Sequence, residues 1–193
     1  MKLLSIDVET TGLDPNTCSV LEIGCVIFDP QPVIQGGTEK ARRWTTFECI
    51  LSHTRIQGEP YALGMNADLI NEIAGRKKTH VPIYNVTRAI TKLRNFLCAN
   101  SVDTGEKYTI VGKNYDAFDA KFLDKIPGWK QNILPLCERR SLDLGSLCFC
   151  PEDGKVPNLQ QCLEKLGIRD SVSHRALDDA MQVATGVSRF FAE

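Results

Sequence analysis

The sequence predicts an α/β domain built on a mixed five-stranded sheet, antiparallel over its first three strands and flanked by helices. Three observations predict it. Strand-like runs come early and close together, at residues 2–9, 20–28 and 44–51, which suits an antiparallel meander. Further on, short apolar strands at 108–112 and 141–144 alternate with helix-period segments, the pattern of helices laid on a sheet. A chain of 193 residues with no repeat and no low-complexity stretch suits one domain over residues 1–193, with a core of its own.

The first strand is the most informative element. Side chains alternate along a strand, so Leu4, Ile6 and Val8 point one way and Ser5, Asp7 and Glu9 the other, until Gly12 breaks the run. Two acids side by side on an apolar strand repel each other and resist leaving water. Two readings fit. The acids sit in water on a half-exposed strand, or a hard divalent cation with oxygen ligands compensates them.

Residues 10–19 form a turn rich in Gly, Asp, Pro and Asn, and residues 29–43 form a surface loop holding Pro30, Pro32 and Gly36-Gly37. Asn66 can cap a short helix running to Ile73 and ended by Gly75. Asn85 can cap a longer one with Val86, Ala89, Ile90, Leu93 and Leu97 on one face. The strand at 108–112 leads into a helix containing Phe118, Phe122 and Leu123. Pro157-Asn158 begins another, stopped by Gly167, and a last helix runs from about 173 to 191.

Composition narrows the class. Apolar residues at 42% and charged residues at 24% describe an ordinary globular chain. A net charge of -1 gives no global basic field for nucleic acid, which leaves only a local groove. Arg42-Arg43, Arg76-Lys77-Lys78 and Arg139-Arg140 are either solvated surface or guides for a phosphate backbone. Eight scattered cysteines, with no secretory segment and no apolar run long enough for a bilayer, predict reduced thiols in a cytoplasmic protein without a membrane. Cys148-Phe149-Cys150 with Cys162 matches no common zinc spacing and reads as inert thiols.

Three acidic places stand out: Asp7 with Glu9, Asp119, and His174 with Asp178-Asp179. Each has a plain explanation when taken alone. Asp119 could cap the first turn of its helix, and the last group could be a solvated helix face. Their order and spacing together change that. Asp7-Val8-Glu9-Thr10-Thr11-Gly12-Leu13 resembles the first motif of the DEDDh 3'→5' exonucleases, relatives of proofreading subunits and RNase T. Leu21-Glu22-Ile23-Gly24 resembles the second-strand signature that follows it. Asn114-Tyr115-Asp116-Ala117-Phe118-Asp119 is similar to the second motif, and His174-Arg175-Ala176-Leu177-Asp178-Asp179 to the third. The match covers nearly the whole chain. It departs from the pattern at Lys113, where relatives often carry His.

The resemblance implies an RNase H-like fold and a catalytic set of Asp7, Glu9, Asp119, Asp179 and His174. Its four carboxylates would hold two Mg²⁺ ions, with Mn²⁺ as a substitute. Helical spacing would pair His174 with Asp178, whereas the family pattern selects Asp179 and places the histidine on the lead-in to the helix. An imidazole, with an ordinary pKa near ~6.5, suits a general base. Thr10, Thr11, Leu13 and Asn114 would bind substrate, the first three around the terminal nucleotide, with backbone donors for phosphate and an apolar side chain against the base. The expected reaction releases nucleoside 5'-monophosphates from the 3' end of single-stranded DNA. Trimming of RNA 3' ends, or a non-catalytic nucleic-acid-binding or polymerase-associated module, is the alternative. The residues leave association with a polymerase and homodimer formation open.

Overall fold

The computed structural model describes residues 2–30, 33–35, 38–40, 44–101, 105–169 and 173–192. Its centre is strand β1 (Leu3–Thr10), which is paired on both sides. On one side lie β2 (Val20–Phe28) and β5 (Thr45–Leu51), each antiparallel to its neighbour. On the other lie β7 (Thr109–Gly112) and β8 (Leu142–Asp143), both parallel to β1 in direction. The expected meander and the two later strands are all present.

The sheet nevertheless has six strands rather than five, because β6 (Ile83–Tyr84) adds to the edge of β5 in parallel. A two-residue strand after Pro82 is too short to show alternation, so only its pairing reveals it. The expected loop at 29–43 also carries structure. β3 (Val33–Gln35) and β4 (Thr38–Lys40) pair antiparallel as a ribbon separate from the main sheet. Arg42-Arg43 lie outside the described residues.

The alternation read along β1 decides which core each residue joins. Leu4, Ile6 and Val8 pack with Phe122, with Trp129 of α5 (Trp129–Asn132), and with Leu93 and Leu97 of α3 (Val86–Asn100). Leu3 points the other way, into a second core with Val26, Val111 and the inner face of α8 (Ala176–Phe190). Asp7 and Glu9 share that second face, and α8 packs along β1 and β2. The strand acids are therefore covered by a helix rather than bathed in water.

Local signals start and stop the helices. Asn85 accepts a hydrogen bond from Arg88 N and caps α3. Asn158 forms a reciprocal cap with Gln161 at the start of α7 (Leu159–Lys165). Gly167, at φ +68°, closes α7 with the paired bonds Gly167 N to Glu164 O and Ile168 N to Leu163 O. The short helices α1 (Pro60–Met65) and α2 (Ala67–Ile73) sit beyond β5, and α6 (Leu144–Leu147) packs beside α7 and α8. Asn66, expected to cap α2, does not do so with its side chain. Its amide instead donates to Thr10 O, at the end of β1.

Candidate active site

Four elements converge where β1 ends. β1 supplies Asp7 and Glu9 just before its register with β2 shifts. α4 (Asp119–Leu123) supplies Asp119 at its first residue. That carboxylate accepts a hydrogen bond from Val8 N at 3.1 Å and so ties α4 to the strand between the two acids. α8 supplies Asp179 in its first turn. The residue two before that helix, His174, stands exposed at φ +55°. α8 thus begins at Ala176 rather than near 173, which leaves His174 on the lead-in.

Glu9, His174 and Asp179 each offer one donor atom within 4.8 Å of the others. Asp178, by contrast, is exposed and accepts from the Ser173 hydroxyl. Helical spacing had offered Asp178 as a partner for His174, but it is Asp179 that turns toward the strand.

The electrostatics are those of acids held together without compensation. Burial pushes Asp7 well above the usual carboxylate range, and Asp119, Asp179, Glu9 and Glu22 push it further. Burial brings Glu9 up to about 7, helped by Asp179 and Glu22 and opposed by the Asn66 amide. Asp119 is also pushed up to about 7, by burial, against the hydrogen bond from Val8. Burial takes Asp179 to about 6, with the Ser173 backbone and His174 pulling the other way. The Oδ1 atom of Asp179 is buried without a hydrogen-bond partner. Among the described residues no lysine or arginine pairs with any of these four. Carboxylate oxygens with one imidazole nitrogen, crowded and unpaired, fit a hard divalent cation.

The substrate-binding candidates divide. Leu13 is 73% exposed, and its N–H donates to Glu59 Oε1. Thr11 is fully buried. Its hydroxyl donates to Gln57 O and accepts from Ser19 N, and its own N–H donates to Ser19 O. The Thr10 hydroxyl donates to Gly12 O. The backbone donors of Thr11 and Leu13 are thus engaged within the protein and not free for phosphate. Asn114, exposed and at φ +67°, lines an open cavity of about 420 Å³ with Lys113, Ser141 and Ser146 at the ends of β7 and β8. Lys113 lies over Gly145, whose absent side chain makes room for it.

Sequence reasoning missed a second group beside the first. Glu22 is directly across from Glu9 on β2 and fully buried. The Arg175 guanidinium forks onto it, with Nη2 to Oε1 at 2.6 Å and Nε to both oxygens at 3.1 Å. Glu72 of α2 and Glu48 of β5 also face Arg175. An acid inside the apolar run 20–28 was the available signal, because a buried carboxylate needs a partner.

A central strand flanked by antiparallel and parallel neighbours, with acids from β1, α4 and α8 meeting at its end, defines a class: the DEDDh-type 3'→5' exonucleases of RNase H-like fold. The solved structures agree in fold. Escherichia coli exonuclease I bound to a dT13 oligonucleotide superposes with a TM-score of 0.64 at 17% identity over 97% of this chain and 40% of that one. Another exonuclease I structure gives 0.69 at 15% identity, over 100% and 41%. A zinc-bound E. coli ExoI–ssDNA complex gives 0.64 at 15%, over 95% and 39%. This chain spans about two fifths of the length of those proteins. A search of curated proteins finds no match in sequence. The sequence model of the Rv2179c-like 3'-5' exoribonuclease domain matches residues 2–191, and the chain belongs to that family.

Proposed function

We propose that this protein shortens single-stranded RNA from its 3' end, one nucleotide at a time. The observation that carries the reading is the meeting of Glu9, His174 and Asp179 within 4.8 Å, against the end of a strand that also carries Asp7. The description of the family as exoribonucleases supports RNA over DNA. Single-stranded DNA is the second reading, favoured by the oligonucleotide held by E. coli exonuclease I.

In the proposed reaction, water attacks the last phosphorus and the bond to the 3' oxygen of the preceding nucleotide breaks. A nucleoside 5'-monophosphate leaves and the shortened strand keeps a 3' hydroxyl. Asp7, Glu9, Asp119 and Asp179 would hold two Mg²⁺ ions, with Mn²⁺ able to replace them. When bound, such cations draw charge off the phosphate and make water more acidic. His174, exposed at the mouth of the group, accepts the water proton on an imidazole nitrogen. The exposed Leu13 offers an apolar surface to the terminal base. Asn114 and Lys113 face the strand further along. The free cysteines suit a reducing, cytoplasmic setting. Among the described residues no helix is long and apolar enough to cross a membrane.

Matched 5'-labelled RNA and DNA strands incubated with Mg²⁺ test this. Stepwise shortening of RNA with release of 5'-monophosphates is expected. Faster loss of DNA would move the assignment to the second reading, and binding without shortening would make the chain a non-catalytic module.

A further inference from the structure

Arg175 is the wrong charge in an awkward place. It is the N-cap residue just before α8, with φ -125° and ψ 130°, and its side chain makes no cap. A cation at a helix N-terminus opposes the helix dipole. Here that cost is offset from outside the helix. Glu22 accepts the guanidinium fork and, through Oε2, the N–H of Ala176 at 2.9 Å, so a carboxylate from β2 caps α8. Glu72, 5% exposed, takes Nη1 from the α2 side.

The backbone on either side of Arg175 carries the site. His174 precedes it directly. The carbonyl of Arg175 accepts the N–H of Asp179, one turn on. The other end of the fork, Glu22, is the cross-strand partner of Glu9. One ion pair between residues 153 positions apart therefore joins the strand half of the site to the helix half.

Resting on the exonuclease reading above, we propose that Arg175, through Glu22 and Glu72, is a positioning residue that sets His174 and Asp179 against β1. It touches neither substrate nor cation. It fixes the point from which the histidine departs and the first helical turn that carries the aspartate. Its planar fork matters, since lysine carries the charge without the two-point grip.

The test must separate positioning from stability. Removing one partner of a buried pair strands the other charge and destabilises the fold, whereas removing both together is often tolerated. The decisive protein is therefore the double variant Glu22→Gln/Arg175→Met, made in a Glu72→Gln background so that Glu72 is not stranded in turn, and set beside Glu72→Gln alone, Arg175→Lys and the wild type. The double variant should melt within roughly 5 °C of wild type. Its kcat should fall on the order of 10²-fold, as a misplaced reacting group would cause, with KM changed less than about threefold. Mn²⁺ affinity, measured by calorimetry on the folded protein without nucleic acid, should weaken about tenfold. Arg175→Lys should fall between the two.

A double variant that folds, binds Mn²⁺ and turns over like wild type overturns the proposal. So does one whose losses follow melting temperature alone. If the wild type itself leaves every oligonucleotide intact, the exonuclease reading fails separately. The Mn²⁺ affinities then still decide whether Arg175 places Asp179.

Discussion

Two groups of buried and half-buried acids lie side by side around β1 and β2, and they are treated in opposite ways. Glu22, with Glu48 and Glu72 around it, closes on Arg175. Asp7, Glu9, Asp119 and Asp179 close on no lysine or arginine among the described residues, and all four carboxyls are pushed upward. The first group has its cation in Arg175 and works as structure, although one arginine among three acids still leaves Glu48 pushed up to about 7, by burial and by Glu22. The second is left short of positive charge, and an assembly that raises its own electrostatic energy needs a ligand to lower it.

The largest expected break in this contrast is functional. Asp7→Ala should cut turnover by at least about 10³-fold, as loss of one member of a concerted set does, while leaving the metal-free melting temperature unchanged or higher. Near-normal turnover would remove Asp7 from the cation set. Next, His174→Ala should lower kcat by about 10²–10³-fold and oligonucleotide affinity far less. Equal losses in both would make the histidine a structural residue.

Stability should divide the groups in the reverse direction. Glu22→Gln takes the nearest carboxylate from Arg175 and the acceptor from Ala176 N, and should destabilise the fold by roughly 3 kcal/mol, measured by denaturant titration. A loss no larger than that of Asp7→Ala would erase the distinction between the groups.

The pH dependence sharpens it further. Carboxyls raised to about 6 and about 7 hold protons in the folded chain that the unfolded chain has already released. From about pH 4, the ordinary carboxylate value, to about pH 7, the folded state binds more protons and stability falls as pH rises. The metal-free protein should therefore melt lower at pH 8 than at pH 5, and Mg²⁺ should recover most of that loss at pH 8. A flat profile without metal would mean the four acids are already compensated. The smallest effect belongs to Leu13→Ala, where the loss of one apolar contact should raise KM about fivefold.

Much of this was legible in the sequence. The three strands of the meander and the opposite facing of Leu4 and Asp7 follow from period-2 alternation alone. Asp7, Glu9, Asp119, His174 and Asp179 carry their signal in spacing, together with the resemblance it supports. What stayed hidden depends on contacts between distant positions. Nothing near Glu22 announces that its partner is Arg175. Ser173 looked like a helix start because the draw of Glu22 on Arg175, which delays α8 to Ala176, cannot be seen locally. Asn66 read as a cap because Asn usually is one. Only the folded chain brings Thr10 O within its reach. β6 has two residues and no period.

Gly24 shows how far the demands of such a site extend. A methyl group there would lie 2.2 Å from the backbone of Ala176 and Leu177, where α8 meets β2. Any larger residue must lift the first turn of that helix off the sheet and carry Asp179 away from Glu9. A position with no side chain and no charge is thus as constrained as the acids themselves. Mutational tolerance in this chain should follow the seam between helix and strand rather than distance from the acids.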